Sequence, residues 1–355
     1  MPAVTAPTSG TGKAAPRAAA ARRGGRDHGA LACLVGLVLV VVLTLLSLRI
    51  GSVSLSTTTV VDAFVAFDGS SEHLIVRTLR LPRTVIAIAV GAALAVAGVT
   101  MQAVTRNVLA SPTVLGVNAG AAFAIVTAVF VLGVVSPGAY VWFAFAGALV
   151  ATAVVFVVGS AGRGGATPLK LALAGAVVTA LLQSWIWAAM VLSDRTLDEV
   201  RFWLAGSVAG RDLGVLARVA PFLLLGLIVA ALLARQLDAL SLGDAMAAGL
   251  GLRTAQVRAL ALGVAVLLAG AAVSVAGPIG FVGLAVPHIV RSVVGPRHVW
   301  LLPAAALGGT SLLLAADIIG RVVMRPEEIQ VGIVTAIVGA PVLIHLVRRR
   351  TVGVQ

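Results

Sequence analysis

The sequence predicts an all-α polytopic membrane protein with about ten transmembrane helices. Hydrophobic residues make up 60% of its 355 residues, charged residues only 11%, and the mean hydropathy is +1.09. Soluble domains carry roughly a quarter charged residues, which excludes an ordinary soluble fold. A membrane span needs about 20 apolar residues, so ten spans use roughly 200 residues and leave only short loops. No remaining stretch is long enough for a soluble catalytic domain.

The chain opens with a basic tail, residues 1–29, which we predict to be disordered and cytoplasmic. It is rich in Ala, Pro, Gly and Thr, a composition that cannot form a core. No aromatic residues alternate with its charges, which disfavours nucleic-acid binding. The apolar run that follows lacks a clear A-x-A cleavage site, so we interpret it as a first span rather than a signal peptide. The single cysteine, Cys33, lies in this run and is interpreted as a packing residue.

Hydropathy predicts a transmembrane domain over residues 30–350, followed by a short tail, residues 351–355. A polar loop with a short amphipathic piece, Thr57–Phe67, separates the first two spans. The small residues Gly91, Ala95 and Gly98 recur at helical spacing in the second span and permit close helix packing. The predicted spans are Ala30–Leu48, Val85–Val104, Gly116–Val134, Ala139–Gly159, Leu171–Leu192, Val215–Leu233, Ala259–Ala276, a broken segment within Gly277–Arg291, Trp300–Ile319 and Val331–Val347.

Ten spans place both termini on one side of the membrane, and the positive-inside rule makes that side cytoplasmic. This orientation depends mainly on the basic tail and on Arg348–Arg350. Several arginines oppose the rule because they fall on the predicted outer side: Arg77, Arg80, Arg83, Arg321 and Arg325.

The stretch Gly277–Arg291, GPIGFVGLAVPHIVR, is apolar but contains three glycines, two prolines and a histidine. Proline removes a backbone donor, and freed carbonyl groups in lipid must be satisfied by protein or water. The stretch is therefore predicted to face other helices or a cavity. Its candidate translocation or hinge residues are Gly277, Pro278, Gly280, Gly283, Pro287 and His288. His288 is more often a hydrogen-bonded structural residue than a metal ligand, since no second ligand lies at suitable spacing.

Asp317 is the one carboxylate well inside an apolar span, which makes it a functional candidate. Arg321 follows four residues later, so an ion pair at the outer boundary is the favoured interpretation. The alternative, an ion-driven secondary carrier, would be expected to hold several carboxylates inside its spans, and this sequence has only one. A polytopic membrane enzyme is disfavoured because no paired catalytic residues are present.

The segment Leu240–Leu252, LSLGDAMAAGLGL, is short, helix-prone and too apolar to lie free in water. Its length suits a helix that docks into a groove on a partner, although an ordinary loop remains the alternative. Phosphate binding by the SGTGK sequence of the tail is excluded, because Pro7 and Ala14 break the P-loop pattern at both ends. We therefore expect no ATP site and no metal site in this chain.

From about Arg77 to Arg349 the chain resembles the FecCD-type permease subunits of ABC importers for iron–siderophores, haem and cobalamin. The resemblance lies in seven motifs that occur in the family order. They are LRLPR (79–83), GAALAVAG with MQAVTRN and LGVNAGAA, WLAGS, LSLGDAMAAGLGL, GPIGFVGLAVPHIVR, LLAADIIGR and VGIVTAIVGAPV.

The resemblance implies a type II importer permease with no enzymatic activity of its own. It implies a second permease subunit, identical or related, two ATP-binding subunits that hold ATP-Mg, and an extracytoplasmic substrate-binding protein. The cargo it implies is a ferric siderophore, with cobalamin or haem as alternatives. Residues similar to the family's ATPase-coupling helix are Leu240, Leu242, Gly243, Asp244, Met246, Gly251 and Leu252, and those similar to its docking arginines are Arg80, Arg83 and Arg321.

The sequence departs from the family pattern at two turns. Asn107-Val108 stands where the family has Asn-Pro, and Glu328-Ile329-Gln330 stands where it has Glu-Leu-Pro. The turn after the second span therefore lacks a helix-breaking restraint, and Gln330 restores a backbone donor in the turn before the last span. Neither change touches the predicted docking segments.

Overall fold

A computed structural model describes the backbone of residues 14–51, 53–161 and 167–351. These residues form helices and connecting turns without a β-strand, which confirms the all-α fold class. The fifteen α-helices are α1 Ala14–Arg49, α2 Thr57–Val65, α3 Ser71–Leu74, α4 Leu81–Thr105, α5 Val117–Leu132, α6 Pro137–Ser160, α7 Pro168–Leu192, α8 Asp194–Leu204, α9 Leu213–Leu232, α10 Ala234–Ser241, α11 Asp244–Gly249, α12 Thr254–Ala276, α13 Val282–Val294, α14 His298–Val323 and α15 Val331–Thr351.

The predicted spans correspond one to one with apolar helices of the described chain. Seven helices are long and apolar enough to cross a membrane, and three shorter apolar helices complete the set. The short ones are α5, α13 and the stretch Val331–Val342 of α15. A π-helical segment, Ile75–Arg80, runs directly into α4 and lengthens the second span.

Two segments differ from the expectation. Helix α1 begins at Ala14, within the predicted disordered tail, while residues 1–13, including the SGTGK sequence, lie outside the described residues. The polar connection Ser193–Leu213 contains a helix that hydropathy did not indicate, α8. Ser193 caps α8 by accepting a hydrogen bond from the backbone N–H of Thr196 at 3.2 Å. The side chains of Arg348–Arg350 and the tail after Thr351 lie outside the described residues.

Helix α4 lies at the centre of the bundle and packs against α12, α13 and α14. Its two glycines sit where neighbouring backbones approach most closely. A Cβ atom at Gly91 would lie 2.5 Å from the carbonyl oxygen of Gly309 in α14, and one at Gly98 would overlap the carbonyl of Gly283 in α13. The predicted close packing of this span is therefore confirmed, since only a residue without a side chain fits at these positions.

Helices α4 and α14 run antiparallel, so the start of α4 lies beside the end of α14. The two ends of the bundle carry different ion pairs. Arg83 at the start of α4 pairs with Asp317 near the end of α14, and we call this the arginine end. At the opposite end, Arg106 follows the last residue of α4 and pairs with Asp244 of α11, and we call this the α11 end. Cys33 is partly buried on α1 and packs against the core.

Candidate functional site

The arginine end is organised around Asp317, which is only 1% exposed. The predicted ion pair between Asp317 and Arg321, one helical turn apart, is confirmed. Arg83 of α4 adds a second cation, with Nη2 at 2.7 Å and Nε at 2.9 Å from Asp317 Oδ1. Its Nη1 donates to Glu328 Oε2 at 2.5 Å. Two guanidinium groups thus hold one buried carboxylate, the arrangement that a buried charge requires.

Arg321 and Arg80 bind the end of α1, where helical carbonyl groups have no partner within the helix. Arg321 Nη1 donates to the carbonyl oxygens of Ser47 at 2.8 Å and Ile50 at 3.1 Å. Arg80 Nη1 donates to those of Leu48 at 2.8 Å and Arg49 at 2.6 Å. Both side chains therefore satisfy the α1 terminus and join it to α4 and α14.

Burial distinguishes the three arginines predicted to dock a binding protein. Arg80 is 5% exposed and Arg321 2% exposed, while the Arg83 side chain is 13% exposed beside the partly exposed Glu328. In this conformation Arg80 and Arg321 bind the chain's own carbonyl groups. Their docking role stays a prediction, and the structure gives them a positioning role that the sequence did not indicate.

The α11 end presents the predicted coupling segment as two short helices joined by a turn at Gly243. Gly243 has φ of 109°, a conformation that glycine adopts at little cost and other residues rarely adopt. Leu240 is buried at the end of α10, and Leu252 is half-buried after α11. Gly251 also has a positive φ, of 81°, and ends the segment. The segment therefore contains the end of α10, a turn and the short helix α11 rather than an unstructured loop.

Asp244 fixes the start of α11 to the rest of the bundle. Its Oδ1 accepts hydrogen bonds from Arg106 and, at 2.6 Å, from Nη2 of Arg258 in α12. Arg106 Nε also donates to the carbonyl oxygen of Leu240 at 3.1 Å. The sequence did not indicate these partners, because neither arginine lies at helical spacing from Asp244.

Three large apolar side chains of this segment point away from the bundle. Leu242 is 60% exposed, Met246 63% and Leu250 64%. Leu240 and Ala247, by contrast, are buried against the bundle. An exposed apolar group of this kind at the end of a membrane bundle is typical of a protein-docking surface.

The segment Gly277–Arg291 forms a loop followed by α13 and lies among other helices, as predicted. Gly277 has φ of 72°, and a Cβ atom there would overlap the carbonyl oxygen of Trp203 in α8. Pro278 and Gly280 lie in the loop, and Phe281 has φ of 67° at the start of α13. Pro287 is buried inside α13, His288 is half-buried, and Arg291 Nη1 donates to Gln102 Oε1 of α4 at 3.1 Å. This segment thus connects α8 to α4.

Both turns that lack the family's proline are formed by other contacts. After α4, Arg106 adopts φ of 50°, and Asn107 Oδ1 accepts a hydrogen bond from the N–H of Leu109 at 3.0 Å. Before α15, the carbonyl of Gln330 accepts the N–H of Ile333 at 3.0 Å. The Asn107 side chain thus closes its turn in the manner of an Asx turn.

Comparison with known proteins gives consistent results. The FecCD transport family matches residues 39–349. The ferric enterobactin transport system permease FepD of Escherichia coli (strain K12) is 44% identical over 317 residues, covering 89% of this chain and 95% of the relative. The Fe(3+)-citrate import system permease YfmD of Bacillus subtilis (strain 168) is 42% identical over 304 residues, covering 86% and 90%.

Among solved structures, an inward-facing metal-chelate type ABC transporter matches with a TM-score of 0.78 and 31% identity, covering 89% of this chain and 98% of that chain. Sequence, fold and motif order therefore agree. The chain belongs to the FecCD transport family and is a membrane permease subunit of an ABC importer, with ATP hydrolysis on a separate subunit.

Proposed function

We propose that this permease carries a ferric siderophore across the cytoplasmic membrane of a bacterium. Two relatives that cover most of the chain are permeases named for ferric enterobactin and Fe(3+)-citrate, both chelates of iron(III). The importer function is supported by the apolar face of the coupling segment, which Asp244 holds in place. Cobalamin and haem are the cargo alternatives that the family resemblance leaves open.

The α11 end is proposed to face the cytoplasm, with both termini on that side. Helix α1 ends and α15 begins at the arginine end, so their opposite ends point toward the α11 end. The basic tail and Arg348–Arg350 are attached to those ends. The positive-inside rule then favours a cytoplasmic position for them.

The coupling surface is proposed to receive one of the two ATP-binding subunits, which hold ATP-Mg. Its predicted residues are Leu240, Leu242, Gly243, Asp244, Met246, Gly251 and Leu252. Leu240 is buried and supports the surface from within, and the structure adds the exposed Leu250. A short helix with exposed Leu and Met side chains fits a hydrophobic groove on a partner. The salt bridges of Asp244 to Arg106 and Arg258 give this helix a fixed attachment, through which motion of the ATPase would reach α4 and α12.

Co-purification from cells that express the full transporter tests this surface. Met246→Asp places a charge at the centre of the apolar face and is expected to remove the ATPase from the detergent-solubilised complex. Val65→Asp is the matched control, because Val65 is also an exposed apolar residue but lies on α2 at the arginine end. Loss of the ATPase from both variants, or from neither, would contradict the proposed docking surface.

The arginine end is proposed to receive the extracytoplasmic substrate-binding protein. Of the three predicted docking arginines, Arg83 is the one whose side chain reaches the surface, beside Glu328. Arg80 and Arg321 would act through their positive potential and by fixing the α1 terminus. Charges at such a rim mainly steer association and set register.

The translocation path is proposed to lie between this chain and a second permease subunit, with Gly277–Arg291 as a deformable element. The loop Gly277–Phe281 contacts α8 through Trp203, while α13 contacts α4 through Gly283. A change in this loop would therefore alter the relation of α8 to α4.

Cargo is tested by uptake into cells that lack their own iron importers and express this transporter. We expect ATP-dependent uptake of an iron-55 siderophore and restored growth under iron limitation. Hemin and cobalamin, offered separately, are the competing substrates. Uptake of either one without uptake of any ferric siderophore would replace the proposed cargo but keep the importer function.

A further inference from the structure

A groove of about 780 Å³ opens between α9, α10 and α14 at the α11 end. Its volume lies within the range of roughly 300–1,000 Å³ that is typical of small-molecule sites. Its walls are almost wholly apolar and include Val96 of α4, Leu227 of α9 and Leu302 of α14. These wall residues belong to membrane-spanning helices. We call this feature the α9–α14 groove.

The polar end of the groove carries the neutral Gln236 and two basic side chains, Arg235 of α10 and His298 at the start of α14. Arg235 is exposed and has no ion pair or hydrogen bond within the described part of the chain. The side chain of His298 is 5% exposed. Its Nδ1 lies 2.7 Å from Asp238 Oδ1, which also accepts the backbone N–H of His298 at 2.8 Å.

His298 Nε2 is buried and has no hydrogen-bond partner among the described residues. Buried polar atoms are nearly always paired, so an unpaired one on a side chain that lines a groove points to a ligand. Because Asp238 occupies Nδ1, Nε2 is the nitrogen left to bind it. In the cationic form Nε2 donates to a phosphate oxygen, and in the neutral form it accepts from a hydroxyl group.

Charge and polarity together select the occupant. Asp238 is already paired with His298 and does not line the groove, so the polar end is basic. A long apolar channel with a basic end complements a molecule that has a hydrocarbon chain and an anionic head. A free phosphate would gain nothing from the apolar walls. Basic pockets between transmembrane helices on the cytoplasmic side are the kind of site that binds anionic lipid headgroups.

We propose that the α9–α14 groove binds an anionic phospholipid. An acyl chain lies along the apolar walls, and the headgroup phosphate binds Arg235 and Nε2 of His298. This site goes beyond cargo transport and does not depend on which substrate is carried. Arg235 and Asp238 both lie on α10, the helix that leads into α11, so the lipid would brace the base of the coupling segment.

The test measures lipid binding to the whole solubilised complex by native mass spectrometry during titration with phosphatidylglycerol or phosphatidylcholine. Native protein is expected to retain phosphatidylglycerol in preference to phosphatidylcholine. Arg235→Gln is expected to weaken phosphatidylglycerol binding roughly fivefold, the contribution of one basic residue near a membrane surface. Arg297→Gln removes the same charge from an exposed residue next to His298 that does not line the groove, and it should leave binding unchanged.

Two further variants separate the headgroup from the chain. His298→Asn keeps an N–H donor for Asp238 but removes Nε2, and it should lower the preference for phosphatidylglycerol. Ala231→Phe fills the groove from an exposed position that tolerates the change, and it should reduce the binding of both lipids. Equal affinity for the two lipids, equal effects of Arg235→Gln and Arg297→Gln, or unchanged binding by Ala231→Phe would each overturn the proposal. So would a disulfide between two copies of Ala231→Cys in a Cys33→Ala background, since it would make the groove a protein interface.

Discussion

Arg83 and Asp317 form a two-point ion pair that joins the first turn of α4 to the last turns of α14. Arg83 Nη2 lies 2.7 Å and Nε 2.9 Å from Asp317 Oδ1. Asp317 is nearly inaccessible and also binds Arg321. The two central antiparallel helices are thus held at the arginine end by a charge-assisted contact in a low-dielectric site, where such a contact is strongest when fully paired.

Asp317→Asn is expected to destabilise the protein by about 3–5 kcal/mol, because it removes the buried anion that two neighbouring guanidinium groups share. Thermal unfolding of the purified complex in detergent measures the effect. Glu328→Gln is the matched control: its side chain is 32% exposed, and among the described residues its one ion-pair partner is Arg83. A partly exposed pair is worth about 1 kcal/mol or less, so similar losses in the two variants would contradict the central role of Asp317.

The energy source of transport distinguishes an ATP-driven importer from an ion-coupled carrier, for which Asp317 is the candidate coupling residue. Asp317 is paired with two arginines, which gives it a structural role in joining α4 to α14. Uptake into proteoliposomes is expected to need ATP and the ATPase subunits, and to continue when an ionophore collapses the proton gradient. Uptake without ATP that stops with the ionophore would favour the carrier and make Asp317 its first candidate for coupling.

Arg321→Lys is expected to lower stability by about 2 kcal/mol or more, although it keeps the charge. The guanidinium binds Ser47 through its carbonyl at 2.8 Å and its hydroxyl at 2.9 Å, besides Ile50 and Asp317. One lysine nitrogen cannot reach all four groups, and each lost bond to a charged donor costs about 1.5–3 kcal/mol. Unfolding in detergent and protease cleavage between α1 and α2 measure the change. Arg325→Lys, at an exposed position, should leave both readouts unchanged.

The contrast between short and long sequence separations explains what the sequence could predict. Seven of the spans are apolar helices of membrane length and three are shorter apolar helices, and apolar runs in the sequence indicated all of them. Helical spacing alone predicted the pair of Asp317 and Arg321. Arg83, however, is 234 residues from Asp317, and no local pattern indicates that contact. Helix α8 was missed because its amphipathic sequence lies within a polar connection. The burial of Arg80 was missed because its partners are backbone carbonyls, which a sequence does not display.

Asp244→Asn is expected to leave the stability of the permease within about 1 kcal/mol of the native value, because the aspartate and its two arginine partners are all partly exposed. It should nevertheless reduce the ATPase activity that cargo-loaded binding protein stimulates, since α11 loses its attachment to α4 and α12. ATPase co-purification should persist, which distinguishes this variant from Met246→Asp. Normal stimulation in Asp244→Asn would show that these salt bridges do not transmit the motion.

Alanine substitution at three glycines tests the proposed deformable segment against plain packing. A methyl group at Gly98 would overlap the carbonyl of Gly283, and one at Gly283 would lie 2.8 Å from the carbonyl oxygen of Leu94. Gly98→Ala and Gly283→Ala are therefore expected to destabilise the protein by about 1–3 kcal/mol through overpacking. Gly280 has no neighbouring atom within 4 Å of such a methyl group, so Gly280→Ala should leave stability nearly unchanged.

Measured iron uptake then distinguishes a deformable loop from plain helix packing, because Gly280→Ala restricts only the backbone of the loop. If the loop deforms during transport, Gly280→Ala should slow iron uptake while its unfolding midpoint stays at the native value. Gly98→Ala, in contrast, should lose uptake and stability together, since it forces α4 and α13 apart. Normal uptake by both Gly280→Ala and Gly283→Ala would rule out the deformable segment, and α13 would then be a static wall packed on α4 through Gly98 and Gly283.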